Sequence, residues 1–196
     1  HHLGDTRRSK QRMKTNIDRW WSLLEQGHET VVTTASGCGL MIKDYAEALQ
    51  DEEAYAEKAR IISENTRDIA EFLSGEDRET LRKLLPDEKR QLVFQSPCTL
   101  QHGQKLAGVT ESLLASLGLS VQTPRDSHQC CGSAGTYSIL QPGLSRQLRK
   151  DKLEKLAICE PDMILTSNIG CQVHLQETGD VPVKHWITLF QAGESG

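Results

Sequence analysis

The sequence predicts an α/β protein with small, mostly parallel sheets flanked by helices. Short β-branched or apolar runs alternate with amphipathic stretches, the pattern of strand–helix–strand units whose strands lie parallel. Two cysteines, Cys98 and Cys171, follow predicted strands directly, and in such sheets ligands bind beyond the carboxyl ends of the strands. Finally, Val31-Val32-Thr33-Thr34-Ala35-Ser36-Gly37-Cys38 can be laid on Ile164-Leu165-Thr166-Ser167-Asn168-Ile169-Gly170-Cys171 without a gap. Thr, Gly and Cys coincide, which suggests two copies of one α/β unit, the first incomplete and lacking its front half.

Residues 6–27 place Met13, Ile17, Trp20, Trp21 and Leu24 on one side of a helix stopped by Gly27. A strand at 31–34 then runs into a tight turn, 35–39, holding Cys38 where a new helix begins and where helix N-termini favour anions. Residues 49–90 are strongly charged and read as a helical connector, with one stripe of Ile62, Ile69 and Leu73 from Glu53 to Leu73 and a second short helix ending at Pro86. The second unit, 91–196, opens on the strand Gln91–Gln95 and continues with a helix marked by Leu106, Val109, Leu113 and Leu117. After a short strand at 119–121 and a polar loop, a helix begins at 136–140 and is interrupted by Pro142-Gly143. A further helix carries Leu144, Leu148 and Leu156; strands at 162–167 and 183–186 and a last helix to Gln191 complete the pattern. Residues 1–48 form the back half of the first unit. The chain opens on His1-His2-Leu3 without Met and is read as a fragment.

A formal net charge of −4 and the lack of any Lys/Arg-rich block give no electrostatic case for nucleic acid. No apolar run is long enough to span a bilayer, and no positive–apolar–small signal opens the chain, which points to the cytoplasm. No Ser-His-Asp set, nucleophilic Cys-His pair, phosphate loop or dinucleotide fingerprint is present, so no catalytic residue is assigned.

The stretch richest in chemistry is His128-Gln129-Cys130-Cys131-Gly132-Ser133-Ala134-Gly135. A vicinal pair is poorly placed to close a disulfide on itself, but it can send two sulfurs to one polynuclear centre. The glycines let backbone approach closely, and N–H groups at the start of the following helix would face negative charge. With Cys98 ahead and Cys171 behind, four thiolates are available for Zn²⁺ or an iron–sulfur cluster. Structural zinc usually takes close C-x₂₋₄-C pairs, which are missing here; adjacent ligands suit several irons better. Disulfides are the weaker reading in a chain without a secretion signal. Cys159 beside Ile158 reads as a small buried hydrophobe. His174, three residues beyond Cys171, could be a ligand or hydrogen-bond a cluster sulfur.

Ser-Pro-Cys98, Cys130-Cys131-Gly-Ser-Ala-Gly-Thr-Tyr and Ser-Asn-Ile-Gly-Cys171 together resemble the cysteine-rich "CCG" domain. That domain occurs twice in the catalytic subunit of heterodisulfide reductases and in iron–sulfur subunits of flavin-linked dehydrogenases, bacterial glycolate oxidase among them. The resemblance implies tandem CCG-type units, a [4Fe–4S] cluster on Cys98, Cys130, Cys131 and Cys171, and Cys38 as the last ligand of an incomplete first site. It implies an electron-transfer role in a 2-hydroxy-acid dehydrogenase complex, with FAD only on partner glycolate oxidase subunits and a quinone as acceptor. An N-terminal ferredoxin-like region of a longer chain and peripheral attachment at the inner face of the plasma membrane, through the complex, are implied as well. Lactate- or glycerol-3-phosphate-linked relatives and a thiol/disulfide enzyme are the alternatives. Against the last stands Cys171-Gln172-Val173-His174, where heterodisulfide reductase-type domains end in C-x-x-C.

Overall fold

The computed structural model describes residues 6–87 and 89–190; His1–Asp5 and the expected end of the last helix at Gln191 lie outside them. The first unit opens on α1 (Thr6–Leu24), followed by β1 (Val31–Thr33), α2 (Ser36–Lys43) and α3 (Tyr45–Ala48). Met13 and Ile17 of α1 pack with Ile42, Tyr45 and Leu49 and with Ala59 and Ile62 of α4 (Ala56–Glu64) in one buried cluster. The stripe expected to run unbroken from Glu53 to Leu73 is interrupted. Thr66–Asp68 forms β2, which pairs in parallel with β1 in the register Val31–Thr66 to Thr33–Asp68. Asp68 then starts α5 (Ile69–Ser74) with a capping box: its carboxylate accepts from Ala70 N, and Glu71 accepts from Asp68 N. The strand ends the first helix at Glu64 and the Asp68 cap starts a fresh one, so the single stripe expected from the apolar spacing is two helices. A short α6 (Arg78–Lys83) follows.

The second unit is a four-stranded sheet in the order β4-β3-β5-β6, every pair parallel. Its strands are β3 (Leu92–Gln95), β4 (Val121–Gln122), β5 (Met163–Thr166) and β6 (Val183–His185). A π-turn (Thr99–Gly103) and α7 (Val109–Ser116) join β3 to β4; α8 (Tyr137–Leu140) and α9 (Pro142–Ala157) lie between β4 and β5; and α10 (Ile169–Gln176) joins β5 to β6. All residues of the central strands β3 and β5 are buried, as parallel strands covered on both faces must be. Alternation assigns them to two layers. Leu92, Phe94, Met163 and Leu165 face a core with Leu113, Leu114, Leu117 and Trp186; Val93 and Ile164 face Leu156, Leu175, Cys131 and Cys171. Each fully buried large apolar side chain contributes about 1.5–3 kcal/mol, so the sheet is anchored from both sides and the cysteines stand on an apolar floor. The last turn, Trp186–Leu189, is 3₁₀ rather than α-helical.

The repeated segments meet. Ser36 N donates to Ser167 O at 3.0 Å, Asn168 Nδ2 reaches Ser36 Oγ at 3.1 Å, and Ser36 Oγ lies 2.8 Å from Thr99 Oγ1. Gln104 Nε2 donates to Ser36 O at 2.9 Å, and His185 Nε2 lies 2.7 Å from Thr34 O. The β1–α2 junction is thus hydrogen-bonded onto the β5–α10 junction. None of the helices among the described residues is long and apolar enough to cross a membrane.

Candidate metal centre

Cys98 lies three residues beyond the end of β3 and directly precedes the π-turn. Cys171 lies in the first turn of α10, whose start is held by Asn168: its Oδ1 accepts from Gly170 N at 2.8 Å and from Cys171 N at 3.3 Å. Cys38 likewise lies inside the first turn of α2, so the tight turn expected at 35–39 is already helix from Ser36. Cys130 and Cys131 occupy the loop between β4 and α8.

These four residues of the second unit come together. Cys131 Sγ lies 3.2 Å from Cys171 Sγ, Cys130 contacts both Cys131 and Cys98, and all six cysteines of the chain are free thiols. The sulfurs therefore run Cys98–Cys130–Cys131–Cys171, drawn from three separated stretches of sequence. Among the described residues no three His, Cys, Asp or Glu side chains converge on one ion-sized point; the sulfurs pack against one another instead. Cys131 and Cys171 are buried at 2% and 8% exposure, while Cys98 and Cys130 are half-buried, so the group opens at one end.

The turn after the pair is built for close approach. Gly132 has φ +90°, and a Cβ there would drive into the Ser145 carbonyl oxygen. Its N–H points at Cys130 Sγ at 3.3 Å, and the Ser133 N–H points at Cys131. The amides facing the sulfurs thus belong to the turn itself; α8, expected to supply them, starts only at Tyr137. Ser145 Oγ donates to Gly132 O at 2.8 Å and lies 3.2 Å from His174 Nε2. His174 is therefore engaged with Ser145 beside the turn. Cys159 packs at the edge of the apolar floor, in keeping with a hydrophobic role.

Electrostatics separate Cys130 from the two thiols it touches. Hydrogen bonds from Cys131 and Cys98 pull the Cys130 thiol far down, to about 2. The same contact with Cys130 pushes Cys98 and Cys131 up, burial adding to it. Cys130 is the favoured thiolate and the Cys98 and Cys131 thiols are held towards their protonated forms, as expected for like charges crowded in a low-dielectric pocket.

Of the leucines that mark α9, Leu156 is buried and Leu148 half-buried. Leu144 is 59% exposed, and the buried positions are Ser145, Arg149, Lys152 and Leu156. Arg149 pairs with Glu177 and donates to His174 O at 3.3 Å. Lys152 Nζ donates to Ser127 O at 2.9 Å, and Gln101 Nε2 donates to the same carbonyl at 3.0 Å and to Ser96 O at 2.8 Å. The Cys98 segment and the loop leading to the double cysteine are thereby tied at one carbonyl. Neither Lys152 nor Gln101 was singled out for the site by sequence; the 4-3-4 spacing of 145, 149, 152 and 156 is the signal that would have found the polar face.

The cysteine-rich domain family (CCG) matches residues 2–43 and 92–176, spans that hold Cys38, Cys98, Cys130, Cys131 and Cys171. The chain is 44% identical over 191 residues to the glycolate oxidase iron-sulfur subunit of Escherichia coli, a stretch covering 97% of this chain and 46% of that protein. It is 26% identical to the probable glycolate oxidase iron-sulfur subunit of Bacillus subtilis, over 89% of this chain and 39% of that one. It is 25% identical to lactate utilization protein A of Bacillus licheniformis, over 88% of this chain and 70% of the relative. The chain thus spans less than half the length of the two glycolate oxidase subunits. With the family's pattern matched along most of its length, the chain belongs to the cysteine-rich (CCG) domain family.

Proposed function

We propose that Cys98, Cys130, Cys131 and Cys171 bind one iron–sulfur cluster of the [4Fe–4S] type, and that the chain works as an iron–sulfur electron-transfer subunit. The observation that carries this reading is the meeting of four cysteine sulfurs from three chain segments on one face of a parallel sheet. The donor set fits such a group: four cysteines, turn amides directed at sulfur, and a glycine where a side chain would obstruct. A bound cluster supplies one-electron relay chemistry. The residues around it hold the thiolates, exclude water on the Cys131–Cys171 side and leave the Cys98–Cys130 side open. In this reading His174 positions Ser145 and the turn, while Cys38 is a ligand of a separate first site.

Likeness to the 44% identical glycolate oxidase subunit supports a partner that oxidises glycolate; the family resemblance implies that this partner carries FAD, forms glyoxylate and sends its electrons towards a quinone. Anaerobic purification with iron, sulfide and zinc analysis tests the cluster. A brown protein with iron and sulfide is expected; a colourless protein with one Zn²⁺ or no metal would overturn the reading.

A further inference from the structure

The polar face of α9 holds two cations that are buried in different ways. Arg149 is paired with Glu177. Lys152 is only 1% exposed, and among the described residues it has no carboxylate partner; its Nζ has the Ser127 carbonyl at 2.9 Å. A buried ammonium costs several kcal/mol unless opposite charge compensates it, and one neutral carbonyl is too little. The groups that favour the charged form of Lys152 are the sulfurs of Cys98, Cys131, Cys171 and Cys130. Ser127 lies three residues ahead of Cys130, so the bond that fixes the ammonium also fixes the approach to the vicinal pair.

We propose that Lys152 is the built-in countercharge of the four-cysteine centre, a positioning residue that biases the centre towards its more reduced, more negative state. This rests on the cluster reading given above. Each added electron increases the negative charge of a thiolate-ligated centre, and a fixed cation in a low-dielectric wall stabilises the reduced form more than the oxidised one. Burial is the larger influence on the ammonium and works against its charge, while the sulfurs work in its favour. Arginine at 152 keeps the charge, glutamine keeps a donor for Ser127 without it, and methionine keeps only the bulk.

The test is a redox titration of the anaerobically reconstituted full chain, followed by visible and EPR spectra, in wild type, K152R, K152Q and K152M, with iron content measured alongside. K152Q and K152M are expected to keep their iron and shift the one-electron equilibrium at least tenfold towards the oxidised state, about 59 mV more negative. K152R is expected to stay near wild type. Neutral variants that lose iron while K152R retains it would equally support the countercharge. Unchanged potentials in loaded K152Q and K152M would reduce Lys152 to a loop anchor and overturn the proposal, as would iron loss in all three variants. A wild-type chain that takes up no iron would instead bring down the cluster reading itself.

Discussion

Two stretches of the molecule are nearly the same locally and differ in everything around them. Val31–Cys38 and Ile164–Cys171 align without a gap; α2 (Ser36–Lys43) and α10 (Ile169–Gln176) start and end at matching positions, and each holds its cysteine third. Cys171 is buried against Cys131, whereas Cys38 is exposed. The helix around Cys171 is capped by Asn168; the corresponding Ala35 has no side chain to do this, and Asn168 reaches across to Ser36 instead. A shared local pattern therefore yields a matching strand-to-helix unit, but a chemical site requires partners brought from a distance. In the second unit these are Cys98, the vicinal pair and the polar face of α9.

The comparison can be broken most directly at sulfur. Cys131→Ser and Cys171→Ser are each expected to remove essentially all cluster iron from the reconstituted chain, while Cys38→Ser and Cys159→Ser leave it in place, as read by iron analysis. Equal losses at Cys38 would mean that the two cysteines share one site. Next in size is the backbone of the turn. Gly132→Ala forces a left-handed conformation and a clash with Ser145 and is expected to cost about 3 kcal/mol or more, whereas Gly27→Ala, at φ +94° with open space around it, costs about 1 kcal/mol. Urea unfolding of the two variants gives the contrast.

The contact between the repeats is weaker. Ser36→Ala leaves Asn168 and Thr99 without their shared hydroxyl and is expected to lower unfolding stability by about 1–2 kcal/mol. The smallest effect is a pH dependence at the same junction. Burial lowers the His185 pKa below its usual 6.5, while its Nδ1 accepts from Ile187 N and its Nε2 faces the Thr34 carbonyl. The unfolded chain then binds the proton before the folded one does, so His185's contribution is complete above about pH 6.5 and is lost as pH falls through the lowered value. His185→Gln should flatten that part of a stability–pH curve; an unchanged slope would place the titration elsewhere.

Much of the architecture was legible because its signals are local. The apolar runs at β3 and β5, the glycine stop after α7, with Gly118 at φ +82°, and Pro142 at the start of α9 all stand where propensity puts them. The four cysteines could be picked from composition and spacing. What could not be read depends on tertiary context. β2 is three residues within a charged stretch and exists because β1 lies beside it. On α9 the leucines give no hint of a polar inner face, yet Ser145, Arg149 and Lys152 turn inward beside Leu156 while Leu144 turns outward. A buried lysine is costly in isolation and becomes intelligible only once the sulfurs are in view.

The central claim is that one polynuclear iron centre is held by sulfurs 98, 130, 131 and 171. Mössbauer spectroscopy of the chain reconstituted with ⁵⁷Fe tests it most directly. The account predicts about four irons per chain in a single coupled cluster. A spectrum of mononuclear tetrathiolate iron, or of iron bound only nonspecifically, would contradict it.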